Sequence, residues 1–242
     1  MFFFCKPKPL IVHFFTAREE VFLHAKPQKA AQYIPEWVKQ LPKAQFPEDI
    51  SAPLKKKLNI KSCPGLINLY KKGFVLPLWS DLSVEIIDGS WRYQFADNVS
   101  VASPHVVSQF DGAPFSQDYT HLKLHNPWAF SSNLGVDVLF TAPSWNGFGY
   151  GDVVVAPGAY SPHNISSAAN INLFFRKQKE RVVYELPFGH PLVHIVPVTE
   201  RNLVLKYELV SEAEVNRRHL ATGLTLFGAN RYHRVDKLCP HA

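Results

Sequence analysis

The sequence predicts an all-β (mainly β) fold, an antiparallel jelly-roll-like β-sandwich with two short helices and a proline-rich N-terminal arm. Three observations carry this expectation. Apolar runs are short, most of them alternate with a period of two, and each is bounded by Gly, Pro, Asn, Asp or Ser. The 19 prolines are scattered between those runs, which suits many strands joined by irregular turns and leaves little room for long helices. The length of 242 residues with 46% hydrophobic content fits a single unit over residues 1–242, because sandwiches often run to roughly 200–250 residues as one domain.

Leu10 to Phe15 is β-branched and aromatic and reads as the first strand. Residues 18–53 then form an irregular covering segment, interrupted by prolines at 27, 35, 42, 47 and 53. It leaves space for one helical turn around Glu36–Leu41 with Pro35 at its first position, and Tyr33, Trp37 and Phe46 would pack it on the sandwich. Lys55-Lys56-Lys57 opens a strand toward Ile60. From Pro64 to Lys72 the apolar positions 66, 67, 69 and 70 recur at helical spacing, with Ser62 as a candidate cap and Gly73 as the stop.

Beyond Gly73 the period changes to two. Strands are expected at Phe74–Trp79, Leu82–Ile87, Trp91–Phe95, His105–Phe110, Thr120–His125 and Val136–Phe140. Further strands are expected at Asp152–Val155, Ile171–Phe175, Arg181–Leu186, Leu192–Val196 and Leu203–Leu209. Ser211-Glu212-Ala213-Glu214 has the form of a capping box and opens a late helix to Thr222, after which residues 224–242 form a C-terminal tail.

Composition narrows the function. Cys5, Cys63 and Cys239 include no CxxC pair, so neither a disulfide framework nor a cysteine zinc site is indicated. The apolar start Met1 to Phe4 is broken by Lys6, Pro7, Lys8 and Pro9 before a signal-peptide core forms, and intracellular synthesis is expected. No apolar run approaches the ~20 residues of a membrane span. Residues 1–80 carry 13 basic and 5 acidic side chains, residues 81–155 carry 2 and 8, and residues 156–242 carry 11 and 7. Such alternation suits docking against neighbouring subunits, whereas a nucleic-acid binder more often presents one continuous basic surface, so nucleic acid is not expected as the main partner.

Eleven histidines invite a metal hypothesis, but HxH and HxD pairs do not occur. His121 and His125 on one strand would stand about 13 Å apart, as would His190 and His194. The rival metal reading therefore rests on His105, Gln109 and His121 meeting across neighbouring strands. Asp81, Glu85 and Asp88 cluster in sequence without forming a close acid/base pair, and no nucleophile or phosphate-loop signature is present. No catalytic residue, metal or cofactor is assigned. The glycine-rich stretch from Trp145 through Phe148 and Tyr150, together with Tyr160, makes an aromatic loop open to three readings: an interface for a protein partner, a surface that stacks on a carbohydrate, or a loop folded back onto its own core.

The passages Ile60-Lys61-Ser62-Cys63-Pro64 and Gly73-Phe74-Val75-Leu76-Pro77-Leu78-Trp79-Ser80-Asp81 resemble a family of uncharacterised proteins encoded by tailed bacteriophages, many of them marine. The resemblance continues in Asn126-Pro127-Trp128, in Leu139-Phe140-Thr141-Ala142-Pro143 and in Gly189 to Pro197, and covers about Pro35 to Arg201. His105 and Gln109 fall where that family tends to carry a His and a Gln. Where the family often shows Asp-Thr-Asp before a Tyr, this chain has Val155-Ala156-Pro157-Gly158-Ala159-Tyr160, so both carboxylates are missing. The resemblance implies a viral protein, synthesised in the host cytoplasm and then carried in the virion. The missing carboxylates favour a structural or assembly role, packing against other virion proteins or itself. The competing readings are a jelly-roll metal-dependent enzyme of the iron-oxygenase kind and a carbohydrate-binding module.

Overall fold

The chain opens with a strand, β1 (Leu10–Thr16), whose Leu10, Val12 and Phe14 side chains are fully buried. The computed structural model describes residues 7–42, 59–87, 90–104, 112–113, 116–147, 152–163 and 167–218. Helix α1 (Glu19–His24), the short β2 (Gln28–Lys29) and helix α2 (Glu36–Gln40) follow. Helix α3 (Pro64–Lys71) leads into β3 (Phe74–Pro77), β4 (Leu82–Ile87), β5 (Ser90–Phe95) and β6 (Ala102–Pro104). Next come β7 (Tyr119–Leu124), β8 (Ala129–Ser132), β9 (Val138–Thr141), β10 (Val153–Val155) and β11 (Gly158–Tyr160). The last strands are β12 (Ser167–Ala168), β13 (Ile171–Arg176), β14 (Val182–Leu186), β15 (Pro191–Pro197) and β16 (Leu203–Leu209), before a helix at residues 212–218.

These strands make two bent layers. In one, β7 pairs with β13 and β8 with β12, so the sheets β10-β13-β7-β6 and β12-β8-β1-β16 share a continuous antiparallel arm. Buried Asn126 holds the bend: its Oδ1 accepts from Trp128 N at 3.0 Å and its Nδ2 donates to Ala169 O at 3.4 Å. In the other layer β3 and β4 run beside β15 and β14, joining β11-β9-β15-β3-β2 to β14-β4-β5. Leu78 N donates to His190 O and Gly189 N to Leu78 O, both at 2.8 Å, across that corner.

Aromatic side chains close the space between the layers. Phe14 meets Phe74 edge-on at 5.2 Å, Phe74 meets Phe130 at 5.9 Å, and Phe175 packs on Tyr184 at 5.4 Å. The β-sandwich expected from the period-two runs is therefore present, with the core between its faces. Leu82–Ile87 and Leu203–Leu209 keep their expected bounds.

Several expectations need correction. The pair β1–β16 is parallel within an otherwise antiparallel set; parallel neighbours need a long connection, which the first and last strands have. The covering segment holds α1 as well as α2, because Val21 and Ala25, four apart, both bury against the core. Pro35 stands at the N-cap of α2, one residue before the position expected. Ile60–Ser62 is a 3-10 turn, not the end of a strand, since Asn59 Oδ1 accepts from Lys61 N at 2.9 Å and turns the chain. Cys63, not Ser62, is the N-cap of α3, with Pro64 next. Within α3, Leu66 and Tyr70 are buried, Ile67 and Leu69 are half-buried, and Lys71 is exposed. Gly73 stops the helix at φ +76°, where an added Cβ would meet Ile195 O at 2.1 Å. The strand expected at His105–Phe110 and the tail 224–242 lie outside the described residues. Among the described residues no helix is long and apolar enough to cross a membrane.

Candidate functional site

The sheet face turned away from the main core, across β3 and β15, carries a second, smaller cluster formed by Ala30, Val38, Leu66, Tyr70 and Val75. Helices α2 and α3 supply its cover. Lys61 Nζ donates to Lys39 O at 2.8 Å and Asn59 Nδ2 to Pro42 O at 2.9 Å, which fastens the two helical segments side by side.

At the rim of this cluster stand Trp37 and Trp145. Pro35 starts α2 with Val38 buried beneath it, so Trp37, one position earlier, projects outward and is 45% exposed. Trp145 sits on a 3-10 turn, Ser144–Asn146, that Gly147 closes in the left-handed region at φ +82°. The two indoles lie 6.3 Å apart at 41°, and Trp37 Nε1 donates to Trp145 O at 3.1 Å. Pro35, Glu36, Asn146 and Gly147 complete an open cleft of about 510 Å³ around the pair. Because the Trp37 N–H is already bonded within the chain, the area that ring offers outward is apolar.

Behind the cleft the supports are polar, with Tyr70 and His194 buried and Asn146 half-buried. Asn146 Nδ2 donates to Tyr70 Oη at 3.1 Å, and the Tyr70 ring stacks on His194 at 6.0 Å. His194 Nε2 lies 3.0 Å from Lys72 O, so this ring nitrogen carries a proton and donates to the carbonyl. Burial pushes the His194 pKa down, against an opposing pull from the Lys72 carbonyl. Along the same outer face Val196, two residues on, pairs with Leu139, which in turn faces Ala159. Among the described residues no helix covers these; Leu139 is 46% exposed, and Ala159 is exposed beside it.

The residues singled out from the sequence are distributed differently. Trp145 belongs to the cleft. Tyr160 does not: its ring packs edge-on against Phe130 at 5.4 Å and Phe140 at 6.4 Å, on the main core side of β11. Phe148 and Tyr150 lie outside the described residues, as do His105 and Gln109 of the metal reading. The third member of that set, His121, places Nε2 3.0 Å from Asn172 Oδ1 and stacks on Phe174 at 4.7 Å, a cross-strand arrangement along β7 and β13. Among the described residues no three His, Cys, Asp or Glu side chains gather as a metal site.

Of the clustered carboxylates, Asp88 lies outside the described residues, and Glu85 and Asp81 have structural partners. Glu85 is gripped by Arg92 and Arg181, each through Nε at 2.8 Å, and their hydrogen bonds lower its pKa to about 2. Asp81 Oδ1 accepts from Phe188 N at 2.6 Å. For Asp97, burial alone would raise the pKa, but hydrogen bonds from Ser100, Ser80 and the Val99 and Ser100 amides outweigh it and hold the carboxyl well below the usual range. Arg18, 3.5 Å from that carboxylate, ties the start of α1 to the same corner.

Trp37, Asn146, Tyr70 and His194 had no role in the site expected from the sequence. One signal pointed to the first: Pro35-Glu36-Trp37 and Pro143-Ser144-Trp145 repeat a Pro-x-Trp spacing, each at the start of a short turn of helix. Compared with known proteins, the chain matches no family model and no curated protein.

Proposed function

We propose that the chain is a structural or assembly protein of a bacteriophage virion, acting by packing against other proteins, with the Trp37–Trp145 cleft as its anchor. The observation that carries the docking role is the half-exposed Trp37 ring, held by its own N–H beside the tilted Trp145 ring. Rigid tryptophans of this kind supply contact area at low entropy cost and dominate binding energies at interfaces. The uncovered strip at Leu139, Val196 and Ala159 extends the apolar area on the same sheet. The viral setting rests on the resemblance carried by residues 60–81, 126–128, 139–143 and 189–197.

Four measurements test this. Mass spectrometry of purified particles from the source virus should find the chain in stoichiometric copies; its absence overturns the virion role. A Trp37→Ala, Trp145→Ala double variant should stay folded and lose attachment to its partner 10-fold or more, about 1.4 kcal/mol. Unchanged attachment removes the cleft from the interface. Loss of glycan retention with protein attachment intact would replace this reading by the carbohydrate-binding one. About one iron, zinc or manganese per purified chain, lost in His105→Ala, would replace it by the metal-enzyme reading.

A further inference from the structure

The longest strand at any sheet edge is β16, seven residues beside β1 in the order β12-β8-β1-β16. Leu10 N donates to Asn202 O and Val210 N to Thr16 O, so the even-numbered residues of β16 turn their backbone groups toward β1. Leu203, Leu205, Tyr207 and Leu209 therefore direct N–H and C=O away from the sheet, and among the described residues no strand meets them. An edge of this length usually carries a bulge, a proline or an inward charge that blocks further pairing. LVLKYEL has no proline or glycine, and its register with β1 is unbroken from Leu203 to Leu209.

We propose that β16 pairs antiparallel with β16 of a second copy of this chain, in a register centred on Tyr207. The strand's own side chains select that register. Centred on Tyr207, Lys206 stands opposite Glu208 of the second copy twice over, in the close, non-hydrogen-bonded pairs, and Leu205 stands opposite Leu209. Moving the centre to Lys206 or to Glu208 would instead set like charges face to face. The core side agrees: Tyr207 stacks on Phe14 at 5.8 Å, so the odd-numbered side chains point inward. At the far end of that row Leu209 is 43% exposed, and Leu205 of the second copy would cover it. Pairing from Val204 to Val210 in each copy joins two four-stranded sheets into one of eight. This surface is separate from the Trp37–Trp145 cleft, so either can fail without the other.

Sedimentation of the full chain over a concentration series, with two charge variants, tests the register. The wild type should form a dimer. Lys206→Glu alone and Glu208→Lys alone should each weaken it about 10-fold or more, since both of the charged cross-strand pairs become repulsive. An equimolar mixture should recover dimer as a heterodimer, because opposite charges face each other again. A wild type that stays monomeric to its solubility limit overturns the proposal, as does a dimer indifferent to Lys206→Glu. Glu208 also bonds Arg218 Nη1 at 3.0 Å, so Glu208→Lys risks local damage to the fold. Amide exchange of the wild type guards against that: Leu205, Tyr207 and Leu209 should be protected in the dimer and lose protection on dilution. Fast exchange of all three in a concentrated dimer places its interface elsewhere and overturns the pairing.

Discussion

Phe14 and Trp37 both make aromatic ring contacts, but they occupy opposite situations. Phe14 lies fully buried between the layers, touching Phe74, Trp128, Phe130 and Tyr207. Among the described residues Trp37 has one ring neighbour, Trp145, and leaves nearly half of its area uncovered. The main core thus closes on itself, while the smaller cluster over β3 and β15 ends in an open cleft. Stability should be concentrated in the first region and adhesion at the rim of the second.

The strongest way to break that contrast is Phe14→Ala. It should cost about 3–5 kcal/mol in denaturant unfolding, as large aromatic truncations in a core do. A loss under about 1 kcal/mol would mean that the layers do not depend on this contact. Gly73→Ala comes next, with an expected cost of about 3 kcal/mol from the left-handed backbone and the backbone clash at Ile195. Because Gly73 joins α3 to β3, the loss should loosen the small cluster before the main core, visible as faster amide exchange in α3.

Acid titration separates the regions more gently. Burial lowers the His194 pKa below the ordinary 6.5 in the folded chain, while the unfolded chain protonates it normally. Above pH 6.5 neither state is charged; as pH falls through that value the unfolded state gains protons first and stability declines. His190 and His125, also lowered by burial, act in the same direction. His194→Gln should therefore flatten part of the stability loss as pH falls below about 6.5, measured by thermal unfolding. An unchanged slope would show that His194 is not the buried titrating group.

Tyr70→Phe should cost about 1 kcal/mol, the worth of the bond from Asn146 to its hydroxyl, and should loosen the Trp145 turn. Smallest for stability is Trp37→Ala, about 1 kcal/mol or less in melting experiments, although it should have a large effect on attachment. A large drop in melting temperature with attachment intact would make Trp37 part of the fold's cover and invert the comparison.

Local patterns determined much of this molecule. Alternation along Leu82–Ile87 and Leu203–Leu209 specified strands, and the 66, 67, 69, 70 spacing after Pro64 specified α3, because each depends on neighbours within a few residues. Short pieces such as Ala129–Ser132 and Gly158–Tyr160 carry too few residues for a period to show, and only their partners make them strands. Tertiary structure alone decided that Leu203–Leu209 would lie parallel to Leu10–Thr16, that Trp37 would meet Trp145, and that His194 would be sealed under Tyr70. Each of those contacts joins residues more than a hundred positions apart. Side-chain periodicity fixes which face of an element is apolar, but the packing of whole layers chooses what that face meets.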